Sequence, residues 1–434
     1  MNTDSPNVLL IVSDQQHADT ISALGQKWVA TPNFDRLVSE GMTFNNCYCA
    51  EPVCGPSRAS LFTGRVPSEC GIYQNGHNVR SSIPNIGQWL NRNQSYHRAV
   101  FAGKWHVREP HTANVPGFDM LASGINCQGQ LSDASVTLAC EAFLRNAPGD
   151  EPFVLSAMYT QPHDICEWIH YCCGIEDGRF HIPDNELPPL PDNFMVNFEE
   201  PTMHSTSREE RPTSVFRWSE YQWRVYLWGY YRLVEMLDAE IGRLLHALKA
   251  SGQAENTIVI FTSDHGEGLG ELGMTTKQYL YDSASRVPLI IRWPEKIQAG
   301  TECRKPVSLL DIAPTICNCI GLPAPKDTKG FSIKEMMTNG TVPNRDFVSI
   351  QGYGGKGQGI RSEHFKYIAF TNDPVELLFD MENDPGETVN LATDPEHRET
   401  LLKHRQYLSE WLDSLDIAPC VPEDFRFSFS EELK

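Results

Sequence analysis

Asn7-Val8-Leu9-Leu10-Ile11-Val12-Ser13 is an unbroken, mostly apolar run that ends on Asp14, and Thr257-Ile258-Val259-Ile260-Phe261-Thr262 is a second run that ends on Ser263 and Asp264. Neither alternates polar with apolar residues, so each reads as a strand covered on both faces, as in parallel sheets sandwiched by helices. In such sheets ligands bind beyond the carboxyl ends of the strands, and both aspartates fall there. Between the two runs, Tyr230, Leu233, Val234, Leu237, Ile241, Leu244, Leu245 and Leu248 keep the i, i+3, i+4, i+7 spacing of an amphipathic helix, which Ser251 and Gly252 stop. Further strands are predicted over 99–102, 153–158 and 287–292. The alternation of strand with helix is of α/β type.

A chain of 434 residues holds two or three domains, or one large α/β domain with an appendage. With 40 % apolar and 21 % charged residues it has globular makeup, which excludes a disordered, collagen-like or coiled-coil chain. Lys and Arg number 36 against 56 Asp and Glu, a formal charge of −20. Nucleic acid and membrane are therefore not expected as partners, since both call for a basic surface. Any anionic substrate has to be met by a local cationic pocket. The 13 cysteines are odd in number and irregular in spacing, so they do not read as a disulfide framework, and no zinc-ribbon repeat is present. The first apolar run is too short for a membrane span and has no basic leader. The expectation is a cytoplasmic protein, or a periplasmic or secreted one if a leader was trimmed ahead of this numbering.

Residues 182–212 carry several prolines and no period, and read as a long ordered loop over the sheet. From about Asp346 the character changes to short strand-like runs at 366–370 and 376–380, a turn at 383–386 and a helix over about 396–415. The predicted division is an α/β domain over 1–345 and a small α+β domain, an antiparallel sheet plus a helix, over 346–434.

The most informative string is Cys54-Gly55-Pro56-Ser57-Arg58. It resembles the C-x-P-S-R motif of the sulfatase family, which directs oxidation of its cysteine to formylglycine. The resemblance continues in order along nearly the whole chain. Asp14 ends the first strand as the family's first metal-binding aspartate does, Gly103-Lys104-Trp105-His106 matches its G-K-W-H motif, and Pro116-Gly117-Phe118-Asp119 follows. Thr262-Ser263-Asp264-His265-Gly266-Glu267 is similar to its second metal segment, and Lys277 stands where it places a sulfate-binding lysine. Ile360-Arg361, Lys366-Tyr367-Ile368, Leu378-Phe379-Asp380, Asp384-Pro385-Gly386-Glu387 and Asn390-Leu391 resemble its C-terminal domain. The implied architecture is alkaline-phosphatase-like: a large mixed, mostly parallel sheet sandwiched by helices, with the smaller α+β domain after it.

Sulfate esters are diffuse anions whose sulfur is shielded by oxygens, so their hydrolysis needs a strong nucleophile and concentrated positive charge at the transition state. The resemblance implies that Cys54 becomes formylglycine, whose hydrate, activated by a metal, attacks sulfur to give a covalent sulfo-enzyme. Two oxygens on one carbon then let the aldehyde re-form as sulfate leaves, and water never has to attack sulfur. By the same resemblance Arg58 holds the diol and the metal carboxylates, and Lys104 and Lys277 bind sulfate oxygens. His106 takes the proton of the second hydroxyl and His163, in Gln161-Pro162-His163, protonates the leaving oxygen, because imidazole titrates near working pH. The implied metal ligands are Asp14, Gln15, the Cys54-derived oxygens, Asp264 and His265. Oxygen-rich coordination favours Ca2+, with Mg2+ next, and the histidine leaves Mn2+ open. The implied partners are a sulfated small molecule or glycan as substrate and a formylglycine-generating maturation enzyme; nothing in the sequence sets the oligomeric state.

Three features depart from the pattern. Gln15 stands where sulfatases often have a second aspartate. His163 is followed by Asp164-Ile165-Cys166 without the usual proline. The Asp-Gln and Asp-His pairings also resemble phosphonate monoester hydrolases, which makes a phosphonate monoester or phosphodiester hydrolase the first alternative and a silent binder of sulfated ligands the second. Gly352-Tyr353-Gly354-Gly355-Lys356-Gly357 matches G-x-G-x-x-G but opens no helix, so it is expected to be a loop facing the pocket, not a dinucleotide site. Cys166, Trp168, His170, Tyr171, Cys172 and Cys173 are expected in a packed lid helix near His163 in preference to a metal site. The aromatic run Trp218, Tyr221, Trp223, Tyr226, Trp228, Tyr230 and Tyr231 is read as helix packing before sugar stacking.

Overall fold

A computed structural model describes residues 5–95, 97–107, 114–124, 128–147, 151–173, 182–209 and 217–430. Its centre is an eight-stranded sheet. The order is Thr301–Cys303, Met42–Phe44, Leu289–Arg292, Thr257–Ser263, Asn7–Asp14, Phe153–Pro162, Arg98–Gly103 and Asp119–Ser123. All neighbours are parallel except Leu289–Arg292, which runs antiparallel to the strand on either side. The expected mixed, mostly parallel sheet is what forms.

Alternate residues of the first strand serve opposite cores, which is why the strand shows no polar alternation. Val8, Leu10 and Val12 join Leu61, Phe62, Ile312 and Ile316 on one face; Leu9 and Ile11 join Val234, Leu237, Ile241 and Leu244 on the other. The long helix Glu220–Ala250 supplies that second face and begins well ahead of the periodic set from Tyr230. Ser219 starts it with a capping box: Gln222 N donates to Ser219 Oγ at 3.3 Å and Ser219 N donates to Gln222 Oε1 at 2.9 Å. The aromatic run therefore lies on and beside this helix, with Trp223, Tyr226, Tyr230 and Tyr231 buried in the core.

The predicted strand over 287–292 is in fact two. Arg286–Val287 pairs with Cys47–Tyr48 in a separate three-stranded sheet, and Leu289–Arg292 enters the large one. Pro288 divides them because it has no N–H to give a ladder. The segment predicted as a loop over 182–212 contains the helix Thr202–Glu209, and 210–212 lie outside the described residues. A four-stranded antiparallel sheet follows: Phe347–Gly352, Gly357–Ser362, Phe365–Phe370 and Leu377–Asp380. The helix Arg398–Asp413 packs on it through Leu401 and Leu408. The glycine-rich string at 352–357 is the hairpin of its first two strands, and Gly354 N donates to the buried Glu51 Oε1 at 2.8 Å. Among the described residues no helix is long and apolar enough to cross a membrane.

Candidate active site

Ser13 pairs with Ser263 across two parallel strands, and this register delivers Asp14 and Asp264 side by side at the carboxyl edge. The helix Cys54–Thr63 points its N-terminus at them with Cys54 as its first residue. Cys54 Sγ lies 3.6 Å from Asp14 Oδ1 and 3.2 Å from His265 Nε2. His265 Nδ1 donates to the Gly266 carbonyl at 2.9 Å, and its Nε2 faces the carboxylates, 3.8 Å from Asp14 Oδ1 and 3.7 Å from Asp264 Oδ1. Asp14, Cys54, Asp264 and His265 each contribute one ligand atom to a group whose members all lie within 4.8 Å of one another. Two carboxylates, an imidazole and an anion-forming side chain in one buried spot fit a divalent cation.

Cationic side chains close round this group. Arg58 is fully buried; its Nε donates to Asp264 Oδ2 at 2.8 Å, Nη2 to Asp14 Oδ2 at 3.0 Å and Nη1 to the Lys104 carbonyl at 2.7 Å. Lys104 Nζ sits 2.8 Å from Asp14 Oδ2. The lysine reaches it because Gly103 turns the chain at φ 105° against Met158, where a Cβ would lie 1.9 Å from the Met158 carbonyl oxygen. Lys277 Nζ donates to Gln15 Oε1. His163 Nε2 is 4.0 Å from Asp14 Oδ1, and the His106 backbone carbonyl lies against Gly55, the residue after Cys54, so both histidines border the Cys54 position.

The charges divide the titrating groups. Burial raises the Cys54 thiol, but Lys277, Lys104 and His265 outweigh it and hold it well below its ordinary value. A pocket that favours a thiolate at that point favours any anionic oxygen there. Burial and the Cys54 charge push Asp14 up, yet Lys104 and Arg58 keep it ionised far below the usual carboxylate range. Asp264 goes the other way, to about 6, through burial and the nearby Asp14. Burial, then Lys277 and Lys104, push His163 down to about 4, so its ring is neutral near pH 7.

All the residues predicted for the site converge on it. Gln15 is held in the left-handed region at φ 67°, where its N–H donates to Asp264 Oδ1 at 3.1 Å and its carbonyl accepts from Tyr230 Oη at 2.6 Å. Its amide oxygen takes the Lys277 hydrogen bond, and its Nε2 donates to Glu267 Oε2. The departure after His163 also has a local reason. Asp164 accepts from Gly129 N at 2.8 Å, Gln130 N at 3.0 Å and Gln161 Nε2 at 2.7 Å, which ties the His163 segment to the start of the helix Gly129–Asn146. The aromatic and cysteine cluster forms the helix Ile165–Cys173, on which Trp168 packs against Gly229; a Cβ there would lie 2.0 Å from the indole nitrogen. Glu267, Tyr226, Tyr230 and Asp164 were not predicted for the site. Glu267 lay in the quoted metal string and the two tyrosines in the aromatic run, but no spacing connects them to Gln15.

Residues 6–322 match the family model described as Sulfatase, and residues 270–413 match that of the N-sulphoglucosamine sulphohydrolase C-terminal region. A Δ4,5-hexuronate-2-O-sulfatase of Bacteroides thetaiotaomicron is 29 % identical, over 94 % of this chain and 89 % of its own length. A protein solved in complex with its substrate D-glucosamine-2-N,6-O-disulfate is 25 % identical with a TM-score of 0.78, covering 94 % of this chain and 98 % of that one. The phosphonate monoester hydrolase of Agrobacterium radiobacter shares the fold at 22 % identity and a TM-score of 0.78, over 94 % of this chain and 96 % of that one.

Proposed function

Since this chain belongs to the sulfatase family and is a sulfatase, we propose that it hydrolyses sulfate esters of sugars, with Cys54 as the precursor of the formylglycine whose hydrate supplies the attacking oxygen. One observation carries the reading: Cys54 stands at a helix N-terminus, with Asp14, Asp264 and His265 on one side and Lys104, Lys277 and Arg58 round it. Asp14, Asp264 and His265, with the position-54 oxygens, would hold a divalent cation, Ca2+ before Mg2+ or Mn2+, which would concentrate positive charge on the nucleophile and the sulfuryl oxygens.

The side chains divide the remaining work. Arg58 bridges Asp264 and Asp14 and so sets the spacing of the two strand ends. Lys104 and Lys277 hold the sulfate oxygens in place of water. His106 takes the proton of the second hydroxyl. The sulfate group of a substrate offsets the Lys277 and Lys104 charges that hold His163 down, so with substrate in place that ring carries the proton it gives to the leaving alcohol. A sugar ester as substrate is supported by the relatives named for sugar sulfates.

The test begins with the mass of the peptide containing Cys54 in protein co-produced with a formylglycine-generating enzyme: sulfur replaced by oxygen is expected, and an unconverted thiol in active protein refutes the assignment. Desulfation of sulfated mono- and disaccharides is then compared with hydrolysis of a phenyl phosphonate ester. Faster turnover of the phosphonate would move the reading to the phosphonate monoester hydrolases that the Asp14-Gln15 and Asp264-His265 pairs also resemble.

A further inference from the structure

Glu267 is fully buried behind Gln15, and every hydrogen bond it accepts has a defined direction. Its Oε1 takes the hydroxyl of Tyr226 and the N–H of Thr276. Its Oε2 takes the Nε2 of Gln15. A primary amide has a donor end and an acceptor end, so once Nε2 is committed to Glu267 the amide oxygen must face away from it. It faces Lys277, whose Nζ donates to Gln15 Oε1. The Gln15 backbone cannot swing to relieve this arrangement, because its N–H is bound to Asp264 and its carbonyl to Tyr230.

We propose that Glu267 is a positioning residue that, through the side-chain amide of Gln15, sets where the Lys277 ammonium points. The residue at 15 then works as a relay from an acid to a cation. This deepens the reading above and rests on it, since it takes Lys277 to be a sulfate-holding group.

Replacing Glu267 with glutamine tests the polarity. Tyr226 and Thr276 still demand an oxygen at Oε1, so the new NH2 lands where Oε2 was and faces the Nε2 of Gln15. Two donors then oppose each other, and Gln15 is driven to turn its oxygen toward position 267 and its NH2 toward Lys277. The ammonium loses the Gln15 oxygen and meets a donor in its place. The double exchange Gln15→Glu with Glu267→Gln restores complementarity: the amide at 267 donates to the carboxylate at 15, and the other carboxylate oxygen accepts from Lys277.

The measurements are the Kd for inorganic sulfate by titration calorimetry, and kcat and KM for an aryl sulfate, on protein matured at Cys54. Glu267→Gln is expected to weaken sulfate binding about tenfold and to raise KM by a similar factor with kcat little changed, since a ground-state contact is lost. The sign is diagnostic. Removing an acid beside an anion site would by charge alone tighten sulfate binding. The double exchange is expected to recover wild-type affinity, and Gln15→Glu alone, which sets two carboxylates together, is not. Sulfate affinity of Glu267→Gln equal to or tighter than wild type overturns the proposal, as does failure of the double exchange to recover. If Glu267→Gln does not fold, the double exchange decides alone: wild-type affinity supports the relay and a tenfold loss sinks it. Lys277→Met separates this from the reading beneath it. If that variant binds sulfate as wild type does, the assignment of Lys277 fails and the relay with it; if it is weakened while Glu267→Gln is not, only the relay fails.

Discussion

Two buried ionic clusters among the described residues invite comparison, one at the carboxyl edge of the large sheet and one where the four-stranded sheet meets the 282–286 segment. In the second, Lys366 Nζ donates to Asp282 Oδ1 at 2.8 Å and to Ser285 Oγ at 3.3 Å and pairs with Glu387 Oε1 at 2.9 Å. The other Asp282 oxygen accepts from Tyr48 Oη at 3.1 Å and pairs with Arg286 Nε at 3.2 Å. Each charge of this cluster has an opposite charge beside it, and in that sense the cluster is closed. In the first, Arg58 and Lys104 satisfy one side of Asp14 and Asp264, while the opposite side of the same carboxylates faces His265 Nε2 and Cys54. Two carboxylates, an imidazole and a thiol are held together there by the backbone register. Buried charge by itself therefore marks no site; what distinguishes the carboxyl-edge cluster is complementarity left open to a cation and an anion.

Substitution at the two centres should separate function from stability. Cys54→Ala is expected to lower turnover of an aryl sulfate by at least about a thousandfold, with the thermal midpoint little changed, because the Arg58 and Lys104 contacts that hold Asp14 and Asp264 do not involve it. Residual activity within tenfold of wild type would end the distinction. Lys366→Met should do the reverse, costing about 3–5 kcal/mol by stranding Asp282 and Glu387 without their cation, while the folded fraction keeps its kcat. Urea unfolding followed alongside activity reads both quantities, and a loss of kcat without a loss of stability would mean that the two clusters are coupled.

The smallest expected effect sharpens how complete the closed cluster is. One lysine cannot neutralise two acids, and the asymmetry is visible: Lys366 and Arg286 overcome the effect of burial at Asp282 and hold it below its usual value, whereas burial pushes Glu387 up to about 7. A carboxyl whose folded value exceeds its unfolded one keeps its proton longer when folded. Its contribution is therefore full below the ordinary value near 4.5 and declines as pH rises through about 7. Glu387→Gln should flatten that decline, gaining about 1 kcal/mol relative to wild type at pH 8 and little at pH 5. Melting curves across that range that stay parallel would show Glu387 to be fully compensated.

Much of the fold was legible because its signals are local. The unbroken runs ending on Asp14 and Asp264 identify strands covered on both faces, and the Leu237, Ile241, Leu244 and Leu248 spacing identifies the helix that covers one of them. The helix start was legible too, in Ser219-x-x-Gln222, but aromatic residues interrupt the apolar period there and hid it. Pro288 carried the break that divides the 287–292 run. The C-terminal hairpin was missed because the glycines of 352–357 lie where its strands join, and glycine carries no hydrophobic pattern. In the site, the residues belonging to short motifs were all identifiable from their strings.

What the sequence by itself determined is the order of strands and helices and which thiol, strand-end acids and basic residues stand in the motifs that meet at the carboxyl edge, because each depends on neighbours a few positions away. Only the tertiary structure decided how these groups are wired. Pairing of Ser13 with Ser263 sets Asp14 beside Asp264, and the same register brings Gln15 between Glu267 and Lys277. Hydrogen-bond polarity across such distances is set by the packing of whole elements, a sum of many weak contacts that no local spacing records.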